Sequence, residues 1–539
     1  MIQHVYPDAC KAMMVRNSRL PFVRAILIAG VRSVALAAAF CLLPFVLTSH
    51  AEVKVAGLFT DNMVLQQGIK LPVWGWADDG EVVTVQFRRE KATATAQKGK
   101  WMVRLSPQKA GGPDTLTITG RNHLELQNVM VGEVWICSGQ SNMEWPLSRS
   151  FAAQKDIEAA DNTMIRLYTV PKLKAKAPVS EVKATWQVCS PKTVPNFSAV
   201  AFYFGRELQP ARQVAIGLIH TSWGGSPAEV WMSDPVLNAN PDYQKNIVDA
   251  YPPAWRNYQK QLAAFEQEKA ELQKQGKTID KGPPWPVWRP AELYNGMIAP
   301  LIPFAIQGAI WYQGESNAGR AHEYRTLYPD MIHNWRQDWG QGDFTFLAVQ
   351  LAPWDRNLKR SLEQITATPV ASDWAELREA QWLATKALPK VGLVVITDVG
   401  DKDDIHPTQK VPVGQRLALA ARGIAYGEHI TYCGPVYRSM TVQGRKAVLS
   451  FADIGRGLEA RGGDLRGFAV CGPDRRFVWA NAVIRGNHVI VSHPDVLRPV
   501  AVRYGWSDYP VVNLWNKNGL PASPFRTDDF PMLTQPKKK

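Results

Sequence analysis

The chain is poor in cysteine, has no long block of one charge, and lacks the short motifs that mark nucleotide or zinc sites. Six cysteines in 539 residues, with no C-x-x-C pair, exclude a zinc ribbon. There is no H-E-x-x-H and the histidines are scattered, so no metal is expected in the chemistry. There is no P-loop and no G-x-G-x-x-G, so a phosphate- or nucleotide-binding role has no support. The run Lys537-Lys538-Lys539 is only a tail, and nothing else argues for a nucleic-acid partner. No internal repeat or low-complexity segment stands out beyond the N-terminus.

What remains is a folded globular composition, 46% hydrophobic and 20% charged, in a chain long enough for two to four domains. Its 20 Trp are many, and indole faces suit sugar rings as well as cores.

The first residues read as an export signal. Arg16, Arg19, Arg24 and Arg32 form a basic region without a nearby acid, and an apolar stretch from Val34 to Leu47 follows, broken only by Pro44. Ser49-His50-Ala51 offers small residues at the two positions a signal peptidase reads, which places cleavage after Ala51. The stretch is too short for a stable membrane span, although an uncleaved anchor is the alternative. Met13 or Met14 is a further candidate start. Removing residues 1–51 lowers the basic and acidic counts from 62 and 48 to 57 and 47, and the formal charge from +14 to +10. That charge suits a solvated surface or attraction to acidic glycans. An exported, and by expectation periplasmic, protein can oxidise its cysteines, and Cys433 and Cys471 share one β-rich region.

Residues 52–128 alternate short β-like runs with turns, as in Leu71–Trp76, Val82–Phe87 and Thr115–Thr119, and predict a β-sandwich region. Lys98-Gly99-Lys100-Trp101 predicts a tight reversal. Residues 129–425 carry continuous apolar strands separated by helical segments: Glu133–Cys137, Val214–Ile219, Ile306–Trp311 and Val391–Ile396. That texture predicts an α/β domain with a parallel sheet covered on both faces, its site beyond the carboxyl ends of the strands. A helical insertion is expected at about 252–290, with Leu262, Phe265 and Leu272 on its apolar face. Residues 426–539 return to β texture and can pack with the N-terminal region.

A hydrolytic serine needs a base, an orienting acid and donors for an oxyanion. Loops after buried strands offer them in three sets, the third made of two runs. Ser138-Gly139-Gln140-Ser141-Asn142-Met143 turns from strand to helix through glycine, although Met143 departs from the G-x-S-x-G elbow. Asp403-Asp404-Ile405-His406 brings carboxylate and imidazole together, with Asp404 the alternative to Asp403. Trp223-Gly224-Gly225-Ser226 and Trp311-Tyr312-Gln313-Gly314-Glu315-Ser316-Asn317 supply amides. Cys137 sits in an apolar strand and is expected to be inert, and His220 is expected in the core rather than in the pocket. Trp145, Trp223 and Trp311 flank the loops and can stack on a sugar or fill the core.

These blocks, with Leu293–Ile298 and the closing Asn513-Leu514 to Arg526 run, resemble the sialate O-acetylesterases, a branch of the SGNH (GDSL-like) hydrolases, over nearly all of the mature chain. The resemblance implies an SGNH-like three-layer α/β/α domain flanked by β-sandwich-type regions. It implies a serine esterase that removes O-acetyl groups from sialic acids through an acetyl-serine intermediate, without a cofactor. Ser141 is then the nucleophile, His406 the general base and Asp403 its orienting acid. The amides of Ser141 and Gly225, or Gly224, hold the oxyanion. Ser316 stands where the superfamily places an Asn, so Gln313 or Asn317 supplies the third donor, Gln313 being preferred. Gln140, Asn142, Trp223 and Glu315 are candidate sugar contacts. An acetylxylan or other polysaccharide esterase, and a non-catalytic glycan-binding protein, are the alternatives. A sialate enzyme should also present an Arg to the sugar carboxylate.

Overall fold

Strands whose residues are apolar on both faces can only sit inside, between two layers of helix. The computed structural model, which describes residues 52–357 and 359–536, builds its centre from such strands. In spatial order they are Gln187–Cys189, Asn162–Thr169, Ala215–Ser222, His123–Gly139, Gly308–Tyr312, Thr345–Val349 and Val391–Val394. All neighbours are parallel except Gln187–Cys189, which closes one edge antiparallel. The four predicted buried strands are present, and Asn162–Thr169 and Thr345–Val349 complete the sheet between and beside them.

Helices Ala199–Arg212 and Val411–Ile424 pack together on one face with Val200, Phe204, Leu208, Leu417 and Ala421. Helices Ala321–Trp339 and Asp373–Ala387 cover the other with Leu327, Met331, Trp335, Leu377 and Ala380. Two of the four are capped by a serine. Ser198 accepts from the Ala201 amide at 3.2 Å, and Ser372 from the Ala375 amide at 2.9 Å, satisfying donors the first turn leaves open.

The N-terminal region forms two packed sheets. Lys54–Val55, Leu71–Trp76 and Lys100–Leu105 make one, and Val82–Phe87, Glu90–Thr95 and Gly111–Thr119 belong to the other. Alternation is clean: Val83, Val85 and Phe87 point inward, as do Trp101, Val103 and Leu105. The predicted reversal is there, with Lys98 and Gly99 both at positive φ and Gln97 paired with Lys100. The second sheet is not separate from the central one. A single 17-residue strand, His123–Gly139, pairs antiparallel with Gly111–Thr119 in its first half and parallel with Ala215–Ser222 in its second. It runs through the expected boundary at 128 and 129, where Asn128 takes a left-handed φ of +57 and the pairing with Gly111–Thr119 shifts register.

The insertion is a 24-residue helix, Tyr251–Lys274, with Pro252 and Pro253 in its first turn and Phe265 buried. The C-terminal region has its own core around Val470, Val489, Val491, Val502 and Leu514. It docks on helix Asp373–Ala387 rather than on the N-terminal sheets: Arg526 reaches Glu379 at 2.8 Å, and Thr534 reaches Glu376. Cys433 and Cys471 are both free thiols, so the pairing open to them is not made. Residues 1–51, with the expected signal and cleavage site, lie outside the described residues. Among the described residues no helix is long and apolar enough to cross a membrane.

Candidate active site

Three of the central strands end at one place, and the loops that leave them carry the chemistry. Gly139 ends the longest strand at φ +138, and a Cβ there would lie 2.2 Å from the Tyr312 carbonyl oxygen of the neighbouring strand. Only glycine fits, and the turn it permits puts Ser141 at the first position of helix Ser141–Glu144. Ser141 Oγ lies 2.8 Å from His406 Nε2. That distance is a hydrogen bond, the contact a nucleophile–base pair requires. Burial lowers the His406 pKa, with Lys410 and Arg149 adding to the effect and Asp404 opposing it. A lowered pKa keeps the imidazole neutral, the form that can accept the serine proton.

The acid behind the histidine is not the expected one. Asp404 Oδ1 accepts from the His406 amide at 2.8 Å and stands 3.4 Å from its Nδ1. Asp403 turns away: its Oδ1 is bound by Lys402 Nζ at 2.5 Å and by the Lys359 amide at 3.1 Å. The loop register, fixed by Asp401 accepting from the amides of both Asp403 and Asp404, sends the two carboxylates in different directions.

The oxyanion donors also differ in part. The amides of Ser141 and Gly225 have no acceptor among the described residues, and Gly225 takes the left-handed φ of +74. The Gly224 amide is occupied, donating to Glu144 Oε2 at 2.6 Å. Gly224 still belongs to the site, since a Cβ there would lie 3.3 Å from Ser141 Cβ. Gln313, the preferred third donor, is buried with its amide nitrogen donating to Asn317 Oδ1 at 2.7 Å and to the Ser226 carbonyl. Both of its protons are therefore used inside the protein. Asn317, also buried, donates to Glu229 at 2.9 Å and accepts from the Ala228 amide. The two amides brace the loops rather than face Ser141. Ser316 holds the pocket wall instead, its hydroxyl donating to the Gly225 carbonyl at 3.0 Å.

Of the candidate sugar contacts, three belong to the floor. Gln140 Oε1 accepts from the amides of Gly314 and Ser316. Asn142 Nδ2 donates to Glu315 Oε1 at 2.7 Å and to the Ile405 carbonyl at 3.0 Å, while its oxygen accepts from Lys410 Nζ at 2.6 Å. Asn142 thus ties the nucleophile's helix to the histidine loop. Burial pushes the Lys410 pKa down to about 7 and the Glu315 carboxyl up. Trp223 is half-exposed beside the serine, edge-on to Trp288 at 5.7 Å with Lys172 and Lys174 over its ring.

His220 is buried with a pKa pushed down to about 4, its Nε2 2.6 Å from Ser222 Oγ. Trp311 is core, between Trp231 and Trp335. Cys137 is buried, which raises its thiol pKa well above the usual range. Among the described residues no cluster of three or more His, Cys, Asp or Glu could hold a metal. Sequence reasoning missed Glu144 and Lys410. Glu144 had a signal in its spacing, one helical turn beyond Ser141, whereas Lys410 lies in the loop before helix Val411–Ile424, where spacing gives none.

A serine bonded to an imidazole at the carboxyl edge of an SGNH-like parallel sheet, under unclaimed amides, defines a carboxylic-ester hydrolase. A carbohydrate esterase family, the sialic acid-specific acetylesterases, matches residues 282–422. The sialate O-acetylesterase of Homo sapiens is 28% identical over 517 residues, covering 88% of this chain and 92% of that one. That of Mus musculus is 29% identical over 522 residues, covering 88% and 94%. The solved structure of a carbohydrate acetylesterase from Xanthomonas citri is 38% identical, with a TM-score of 0.76 over 89% of this chain and 100% of that one. The chain belongs to the carbohydrate acetylesterases, and it is similar to the sialate O-acetylesterases over most of its length.

Proposed function

We propose that the protein is an exported esterase that removes O-acetyl groups from sialic acids, with Ser141 as nucleophile and His406 as base. The observation that carries the reading is the 2.8 Å contact between Ser141 Oγ and His406 Nε2, beside two free amides. Ser141 attacks the acetyl carbonyl as His406 takes its proton. The amides of Ser141 and Gly225 receive the negative charge on the carbonyl oxygen. The sugar hydroxyl leaves with the proton from His406, and water activated by the same imidazole releases acetate from the serine. Asp404 orients the imidazole and stabilises its charged form. Glu144 is the group that must yield if the Gly224 amide is to join the oxyanion site.

The test is acetate release by purified protein from O-acetylated sialic acid and from acetylated xylan, with Ser141→Ala alongside. Release from sialate that disappears in the variant is expected. Release from xylan alone moves the enzyme to the polysaccharide esterases. No release from either, nor from an aryl acetate, would leave a glycan-binding protein on an esterase fold. Location is tested separately, by fractionating cells for the processed chain that begins at Glu52.

A further inference from the structure

The cations that touch the site are mostly held already. Lys172 is bound by Glu144 at 2.5 Å, Lys174 by Glu292 at 3.0 Å, Lys402 by Asp403 at 2.5 Å and Lys410 by Asn142 at 2.6 Å. Arg149 is different. Its side chain has no ion pair and no hydrogen bond with any described residue. Its guanidinium lies over Trp145, with its central carbon 4.0 Å from the ring centre. The same indole stacks on His406, with ring centres 5.5 Å apart and planes 19° from parallel. A guanidinium stacked on an aromatic face keeps its in-plane fork of N–H groups free, and that fork matches a carboxylate.

The ledge is fixed in place. Leu147 is buried, and its amide donates to the Phe197 carbonyl. Phe151, two residues beyond Arg149, donates its amide to Thr408, two residues beyond His406. The Arg149 turn and the histidine loop therefore move as one. Both groups lie against the one indole, which holds the guanidinium near the imidazole. On the opposite wall, Lys172 and Lys174 stand over Trp223 with their charges matched by Glu144 and Glu292. An anionic sugar gains nothing there and gains a free cation at Arg149.

We propose that Arg149, presented on Trp145, binds the carboxylate of the acetylated sugar and sets a preference for sugar acids over neutral sugars. The proposal rests on the sialate reading above and gives it a residue.

The experiment measures kcat/KM for acetate release from an O-acetylated sialic acid and from its uncharged carboxamide. The quantity read is the ratio of the two, which cancels any change in folding, in amount of active enzyme or in the serine chemistry. Wild type should prefer the acid, and the preference should weaken with salt. Arg149→Met should lower the ratio about tenfold, the worth of one charged hydrogen-bonded contact at a solvated site, through KM for the acid. Arg149→Lys should recover part of it. An unchanged ratio in Arg149→Met, from a wild type active on both sugars, overturns the assignment of Arg149 and leaves the sialate reading intact. A wild type that releases acetate from an aryl acetate or acetylated xylan but from neither sialic acid derivative overturns both.

Discussion

Beneath Ser141, the side chains of Gln140, Asn142 and Lys410 are buried, and each has its partner inside the protein. Around Ser141, Asp404 and Arg149 are exposed and Trp223 is half-exposed. The floor is a buried hydrogen-bond network centred on Asn142, with one Glu315 carboxylate oxygen left without a partner. The rim is a set of groups with free valences. The first fixes where the serine and histidine sit, and the second can tell one sugar from another. Losses in the floor should therefore appear in stability and kcat together, and losses at the rim in KM or in the pH profile.

The sharpest way to break that contrast is Asn142→Ala. It leaves Lys410 Nζ, Glu315 Oε1 and the Ile405 carbonyl without their common partner, at a cost of about 3 kcal/mol. The histidine loop loses its tether, and kcat should fall about 10²-fold, the usual effect of a misplaced catalytic group. Denaturant unfolding and steady-state kinetics would show both. A variant that loses rate at unchanged stability would move Asn142 out of the floor.

Asp404→Asn comes next. A buried orienting aspartate in such a triad is worth about 10⁴, but Asp404 is exposed and its field is screened, so about tenfold is expected in kcat. Because the Asp404 charge raises the histidine pKa, its removal should shift the acid limb of kcat/KM to lower pH. A limb that stays in place would argue against Asp404 as the orienting group.

Lys410→Met sharpens the comparison through pH. Burial holds the Lys410 pKa near 7, below the 10.5 of a free lysine, so between those values the unfolded chain binds more protons than the folded one. Lysine 410 therefore makes wild type gain stability as pH rises through that window, relative to Lys410→Met. Parallel stability curves for the two proteins above pH 7 would refute this. The smallest effect belongs to Asp403→Asn. Its carboxylate is exposed and bound to Lys402, so activity should stay within about threefold of wild type. A larger loss would restore the sequence-based choice between the two aspartates.

Most of the fold was legible because its core strands are written as apolar runs: Glu133–Cys137 and Val391–Ile396 carry the parallel sheet in their composition alone. Asn162–Thr169 escaped because Arg166 and Thr169 break the run, Arg166 being buried on contacts with Asn62 and Asn128 far away in sequence. Ser141 was legible because it follows a strand end through a short, distinctive turn, and His406 because an aspartate pair precedes it in the loop after Val391–Val394. The choice between Asp403 and Asp404 was not, since it depends on which carboxylate Lys402 and Lys359 capture. Gln313 and Asn317 looked like donors because they are amides after a strand. Their occupation by Ser226, Glu229 and Ala228 arises only when two loops, 87 to 89 residues apart, meet.

The His123–Gly139 strand has a consequence for how this enzyme can change over time. A domain joined by a linker can be lost, duplicated or traded for another without disturbing its neighbour. Here one continuous strand begins in the N-terminal sandwich and ends two residues before Ser141. The sandwich anchors the upstream half of that strand, and a one-residue slip would turn every side chain along it to the wrong face. Lineages of this chain can therefore vary the rim loops freely, but they inherit the sandwich and the catalytic serine as a single unit.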